Sequence, residues 1–338
     1  MIFYIRADAN KQIGTGHVMR CLSIAMELKN RGIETIFLNA DHDSDQMIHA
    51  RGFKTHCLHS LWNDMETELP ALLQYIKENN ITHILVDSYF VTKRYFESLQ
   101  CVVQMSYMDD IGLPYGNLYA LINYNIYAPK MGYEKRTDLH AQKYLLGPQY
   151  VPLREEFQNI TPVFHEVVKN VMISTGGTDG YNVAGNILKC VAGKYPDVTF
   201  HVISGVMNQN YDCLCQLQQK EDNIRLYSNV LKMSEIMCRC DLAISACGST
   251  IYELCACGVP LITYTLADNQ LLGAKELELQ KLAVYCGDCR KGMGTMIEAI
   301  DMSLAEMINS KEKRYQMQER QLNVINCQGS LILTDQIV

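Results

Sequence analysis

The sequence predicts an α/β protein of two Rossmann-like domains with parallel sheets, and three observations predict it. Short apolar, β-rich runs alternate with amphipathic helical stretches along most of the 338 residues, as in parallel strands joined by crossover helices. A strand, a glycine turn and a helix follow one another twice, first around Gly14 and Gly16 and again around Gly176 and Gly177. Between these repeats Pro148, Pro152 and Pro162 interrupt a stretch without periodicity. This places an N-terminal domain at 1–150 and a C-terminal domain at 151–338, with the last helix able to pack back on the first domain. The carboxyl ends of both sheets are expected to face a central cleft, since open α/β sheets bind ligands there.

The elements follow from local patterns. Ile2 to Arg6 reads as a buried strand, and Val18, Leu22, Ala25, Met26 and Leu28 then recur at helical spacing until Gly32 stops the helix. Strands at Thr35 to Leu38, Thr55 to Leu58 and His83 to Val86 are separated by helices at Ser44 to Arg51 and Leu69 to Lys77. Further strands are expected at Val102 to Met108 and Leu121 to Tyr124. The second series begins with strand Val171 to Ser174, the turn Gly176-Gly177-Thr178-Asp179-Gly180, and a helix marked by Val183, Ile187, Leu188 and Val191. Strands near Phe200 to Ile203, Leu242 to Ser245 and Leu261 to Tyr264 continue it.

Composition narrows the function. Apolar residues make up 48% and charged residues 20%, the balance of a folded soluble chain. The net charge of −7 gives no general attraction to nucleic acid or anionic lipid, so a small-molecule partner fits better. Arg6 and Asp8 interrupt the first apolar run before a signal-peptide core can form, which predicts a cytoplasmic protein. The longest apolar stretch, Leu254 to Ala267, is broken by Gly258 and Pro260 and is too short to span a membrane. The 14 cysteines are numerous for such a chain. Cys213/Cys215, Cys238/Cys240, Cys255/Cys257 and Cys286/Cys289 invite a zinc reading, but no second CxxC follows at knuckle spacing and no HxxxH accompanies them. Reduced thiols acting as small hydrophobes are the expectation, with no metal and no cofactor.

Two turns are candidates for chemistry. Ile13-Gly14-Thr15-Gly16-His17 lacks the third glycine of a dinucleotide fingerprint, yet it sets a histidine where a strand opens into a helix. The helix dipole there favours neutral imidazole, the form a general base needs. A hydrogen bond from His17 to neighbouring backbone is the structural alternative. The second turn, Ser245-Ala246-Cys247-Gly248-Ser249-Thr250, delivers small residues to a helix start whose free amides suit a diphosphate, with Glu253 one turn further on. An ordinary N-cap by Ser249 or Thr250 accounts for the same residues. Asn269 and Gln270 follow a strand and suit sugar hydroxyl or acetamido groups, and a cap by Asp268 or Asn269 explains them equally well. Tyr89, Asp109 and Asp110 lie at comparable strand ends, and the two acids, being neighbours in sequence, are expected to point apart.

These residues together resemble a known family. Arg6-x-Asp8, Gly14-x-Gly16-His17-x-x-Arg20-Cys21-Leu22, Asp109-Asp110, Leu146-Gly147-Pro148-x-Tyr150, Leu153-Arg154-x-x-Phe157, Gly176-Gly177-Thr178-Asp179, Ser245-Ala246-x-Gly248-Ser249-Thr250-x-Tyr252-Glu253 and Ala267-Asp268-Asn269-Gln270 occur in the order found in UDP-sugar hydrolases of pseudaminic acid biosynthesis. The chain departs from that pattern at Cys247, where glycine is frequent, and at Ser88, where histidine precedes the tyrosine. A more distant resemblance, through the Gly-Ser-Thr, Glu253 and Gly-Val-Pro segment, is to the glycosyltransferase that adds N-acetylglucosamine in peptidoglycan synthesis. The resemblance implies a GT-B fold and metal-independent, inverting hydrolysis of a UDP-sugar. It further implies His17 as base, Asn269 and Tyr89 orienting sugar or water, and Glu253 on ribose. Gly248, Ser249 and Thr250 would hold the phosphates and Arg154 the substrate, with Gly14, Gly16, Gly176, Gly177 and Gln270 lining the site. A GT-B glycosyltransferase, a hydrolysing UDP-sugar 2-epimerase and a non-catalytic nucleotide-binding module are the alternatives.

Overall fold

The computed structural model describes residues 2–205 and 207–338. The chain divides into two compact units: the first runs to Glu155 and takes in Gln328–Val338, and the second is Glu156–Cys327. The division falls a few residues beyond the expected boundary, because Val151 and Leu153 are buried with the first unit's C-terminal segment.

In the first unit β1 (Ile2–Ala7), α1 (Gly16–Asn30), β2 (Glu34–Asn39), α2 (Asp45–His49) and β3 (Lys54–Cys57) build one wing of the sheet. The other wing is α3 (Leu69–Glu78), β4 (His83–Asp87), α4 (Lys93–Gln100), β5 (Gln104–Met108), β6 (Gly116–Asn123) and β7 (Leu139–Leu146). The strand order is β3-β2-β1-β4-β5-β6-β7, and every pairing is parallel. Chain direction across the sheet reverses between β1 and β4, so a crevice opens beyond their carboxyl ends. Burial on both faces explains why these strands read as apolar runs.

The second unit repeats the plan. It comprises β8 (Asn170–Ser174), α5 (Val183–Val191), β9 (Thr199–Ser204), α6 (Tyr211–Lys220), β10 (Ile224–Ser228), α7 (Met233–Met237) and β11 (Leu242–Ala246). Next come α8 (Thr250–Ala256), β12 (Leu261–Thr265), α9 (Leu271–Leu279), β13 (Val284–Asp288), α10 (Met293–Asn309) and α11 (Lys311–Val324). The parallel order is β10-β9-β8-β11-β12-β13, with the reversal between β8 and β11. Strands β7, β10 and β13 and helices α4, α6, α7, α9, α10 and α11 have no individual assignment in the sequence-based expectation. None of the described helices is long and apolar enough to cross a membrane.

All 14 cysteines are free thiols and seven are buried. The fold joins them differently from their sequence spacing, since Cys238 meets Cys257 with sulfurs 3.7 Å apart while Cys286 contacts Ser303 at 3.4 Å.

The last helix, α12 (Gly329–Ile337), belongs to the first unit. Ser330 Oγ donates to the Leu153 carbonyl at 2.7 Å, and Asp335 accepts from Arg31, the residue after α1, at 2.6 Å. Gly329 lies so close that a Cβ there would stand 2.2 Å from the Val151 carbonyl oxygen, a backbone atom with no rotamer to change. Gly329→Ala is therefore expected to cost about 1–3 kcal/mol, read as a lower thermal midpoint. An unchanged midpoint would show that α12 is not held by this contact.

Candidate active site

The carboxyl ends of β1 and β4 carry the densest polar cluster of the first unit. Gly14 takes φ +74°, a left-handed conformation that turns the chain after β1, and its amide closes the turn onto Asn10 at 2.9 Å. Gly16 opens α1, and His17 and Arg20, one turn apart, share a helix face. Both are buried, which places two polar side chains against the end of β4.

Asp87, the last residue of β4, receives both. His17 Nδ1 lies 2.6 Å from Asp87 Oδ1, while Arg20 donates Nε to Oδ2 at 2.6 Å and Nη2 to Oδ1 at 2.5 Å. Burial alone raises this carboxyl, but the Arg20 guanidinium and His17 hold it well below the ordinary carboxylate range. Arg20 continues through Nη1 to Asp110 Oδ2 at 2.8 Å and to the Tyr124 hydroxyl at 3.1 Å. Burial, opposed by Arg20, pushes the Tyr124 phenol up to about 12.

Tyr89 completes the group. Its hydroxyl donates to Asp110 Oδ2 at 2.7 Å, and its ring meets the His17 imidazole edge to face at 4.4 Å. Burial and then the Asp110 charge raise the Tyr89 phenol far above its usual value, so it is a donor and not a base. Asp109 points elsewhere: it accepts from the amides of Ile111 at 3.1 Å and Gly112 at 2.8 Å and from the Tyr133 hydroxyl at 2.6 Å. The adjacent acids thus serve two different networks.

Chemically, the arrangement is an oriented histidine. Asp87 on Nδ1 favours the tautomer that carries its proton there and its lone pair on Nε2, and Nε2 has no hydrogen-bond partner among the described residues. One guanidinium faces two carboxylates in the cluster, so its formal charge is negative. A proton arriving on His17 would neutralise it.

In the second unit the expected substrate residues gather at the carboxyl ends of neighbouring strands β8, β11 and β12. Gly248 leads from β11 into α8, and a Cβ on it would meet nothing within 4 Å. Ser249 occupies the N-cap position without a side-chain cap bond. Thus the capping alternative does not account for it, and the Ser249 and Thr250 amides have no backbone acceptor among the described residues. Cys247 is buried and its thiol is pushed up to about 12 by that burial, which makes it a packing residue. Glu253 lies in the first turn of α8.

The Gly176 turn differs. Gly176 is left-handed at φ +83° with open space over it, but Asp179 accepts the first α5 amides, Val183 at 2.7 Å and Ala184 at 3.2 Å. That helix start therefore carries its own carboxylate. Gly177 is pressed by Gly205, where a Cβ would lie 2.2 Å from the Gly177 carbonyl oxygen. After β12, Gln270 Oε1 accepts the Leu266 amide at 2.8 Å, leaving its NH₂ to donate. Asp268 pairs with Arg290 at 2.7 Å instead of capping a helix, and Asn269 is exposed. Arg154 is half-buried in the first unit. Of the expected catalytic residues, His17 and Tyr89 meet in the first unit, whereas Asn269 belongs to the second.

Asp87, Asp110 as a partner of Arg20, and Tyr124 escaped the sequence reading of the site. An acid ending a buried strand opposite a histidine turn was the available signal for Asp87. A hollow of about 640 Å³ lined by Thr82, Gln104, Tyr119 and His140 sits at the opposite, amino-terminal edge of the first sheet and includes none of the expected residues.

Residues 171–327 match the model of the Glycosyltransferase family 28 C-terminal domain. MurG of Acinetobacter baumannii superposes over 99% of this chain and 98% of its own, with a TM-score of 0.70 at 13% identity. The fold is GT-B. An uncharacterized protein of Methanocaldococcus jannaschii, MJ1062, is 29% identical over 79% of this chain and 56% of its own length. A Helicobacter pylori protein named pseudaminic acid cytidylyltransferase and UDP-2,4-diacetamido-2,4,6-trideoxy-beta-L-altropyranose hydrolase is 25% identical over 81% of this chain and 46% of its own. The chain spans about half the length of these two relatives. A Campylobacter jejuni protein named as that hydrolase alone is 24% identical over 73% of this chain and 85% of its own.

In this GT-B chain Asp87 is a stability element as well as an orienting one. Its folded carboxyl titrates below the unfolded value of about 3.9, so its stabilisation is complete above that pH and drains away as pH falls below it. Asp87→Ala, which leaves Arg20 with one carboxylate fewer, is expected to cost about 3 kcal/mol or more near neutrality. The deficit relative to wild type should shrink in acid below about pH 4. A deficit that stays constant across that range would contradict an ionised Asp87.

Proposed function

We propose that the protein hydrolyses UDP-2,4-diacetamido-2,4,6-trideoxy-β-L-altropyranose to UDP and 2,4-diacetamido-2,4,6-trideoxy-L-altrose, with inversion at the anomeric carbon. The observation that carries this reading is His17, fixed at Nδ1 by Asp87 with Nε2 uncommitted. The names of the Helicobacter and Campylobacter relatives support the substrate class.

Water is a poor nucleophile and UDP a good leaving group, so the reaction needs a positioned base more than a metal. His17 Nε2 takes a proton from water as its oxygen bonds to the anomeric carbon. The bond from that carbon to the β-phosphate oxygen breaks and its electron pair departs with UDP. The imidazolium formed on His17 gains from the negative Asp87–Arg20–Asp110 cluster. Tyr89 and Asn269 orient sugar or water. The Ser249 and Thr250 amides beside Gly248 receive the diphosphate, because the α5 start is occupied by Asp179. Glu253 holds ribose, Arg154 contacts substrate, and Gln270 donates its NH₂ to the sugar. Gly14, Gly16, Gly176 and Gly177 let substrate approach the backbone.

The glycosyltransferase domain match favours a second reading, sugar transfer to an acceptor other than water. Release of free sugar in the absence of any acceptor separates the two.

His17→Asn is expected to lower kcat by roughly 100-fold or more while UDP affinity stays near wild type. Near-wild-type turnover would remove His17 from the base role. Glu253→Ala should instead weaken UDP binding measured by calorimetry, and unchanged affinity would withdraw the ribose assignment.

A further inference from the structure

The loops that follow β2 and β3, two and three strands removed from Asp87 in the sheet order, bring together three ligating side chains with no part in the hydrolytic reading. His42 follows β2, Cys57 ends β3, and His59 lies two residues beyond it. One ligating atom from each falls within 4.8 Å of the other two. The Cys57 sulfur is 3.4 Å from His59 Nδ1, against about 3.5 Å for sulfur and nitrogen on one tetrahedral zinc ion.

Backbone contacts build this geometry. The amides of Leu58 and Ser60 donate to the carbonyls of Asn39 and Ala40 at 2.8 and 2.9 Å, which prolongs the β2–β3 ladder on either side of His59. Between these anchors His59 takes φ +53°, a left-handed conformation uncommon outside glycine, and its amide approaches the Cys57 sulfur at 3.4 Å. His42 has a carboxylate partner, Asp45 Oδ2, 2.7 Å from Nδ1. A carboxylate on one ring nitrogen orients a metal-binding histidine and leaves the other nitrogen to ligate. His42 and His59 are exposed, so an ion can reach them.

We propose that His42, Cys57 and His59 form a binding site for a zinc-class divalent cation, oriented through Asp45, that clips the β2–α2 loop to the end of β3. Two imidazoles and a thiolate suit a borderline-soft ion and select against magnesium and calcium, which prefer oxygen. Three protein ligands leave a fourth position for water. Binding releases the Cys57 thiol proton to solvent.

The hydrolytic reading assigns no metal to the reaction, so the test reads the ion and not turnover. Chelator-treated, untagged protein is titrated with Co²⁺ as a spectroscopic probe, followed by displacement with Zn²⁺. One equivalent should give tetrahedral cobalt absorption with a thiolate charge-transfer band, and zinc should abolish both. Cys57→Ser should remove the charge-transfer band, and His42→Ala, His59→Ala and Asp45→Asn should each weaken affinity about tenfold or more. Cys101→Ser, which alters an exposed thiol outside the cluster, should leave the titration unchanged. Circular dichroism confirms that each variant is folded. A wild-type protein without the charge-transfer band, or a band that survives Cys57→Ser, overturns the proposal.

Discussion

One carboxylate, at the end of a buried strand, organises the first unit's candidate site. Asp87 accepts from Arg20 twice and holds His17 at 2.6 Å, and its position is set by the pairing of β4 with β1 and β5. Both α1 side chains lose a partner without it. A buried guanidinium with one carboxylate fewer is costly, and an imidazole without a partner on Nδ1 has no fixed orientation. The same contact therefore ties the first helix to the sheet and orients the His17 imidazole. Asp110 extends it to Tyr89, so that the two aromatic rings lining the site share a single electrostatic network.

The second unit uses backbone where the first uses charge. Its two strand-to-helix turns look alike in sequence, yet they are not equivalent. The α5 start is closed by Asp179, an internal anion, whereas the α8 start carries no side-chain cap. The diphosphate of the proposed reaction is therefore placed at the turn at Gly248; in the other turn the Gly177 carbonyl lies close to Gly205 while Gly176 keeps open space over it. In the proposed reading a chain of net charge −7 binds an anion through local amides.

Central strands were legible because burial on both faces leaves continuous apolar runs, as in Ile2–Ala7, Val171–Ser174 and Leu261–Thr265. The strands that escaped are edges. Leu139–Leu146 alternates buried with exposed positions, Ile224–Ser228 buries only Ile224, and Val284–Asp288 buries only two residues. The helix Lys93–Gln100 escaped because only Tyr95, Phe96 and Leu99 face inward. At the site, His17 was visible from its turn, but Asp87 lies 70 residues away and meets it only through parallel strand pairing. Spacing could not reveal that Cys238 meets Cys257, or that His42 approaches Cys57 and His59, for the same reason.

The central claim is that an activated water attacks the sugar carbon. Hydrolysis of the proposed UDP-sugar by purified enzyme in water enriched with the heavy oxygen isotope, followed by NMR and mass analysis of both products, tests it directly. The account predicts the label at the anomeric oxygen of the free sugar, inverted configuration in the first-formed product and unlabelled UDP. Label in the UDP phosphate, or retained anomeric configuration, would contradict it.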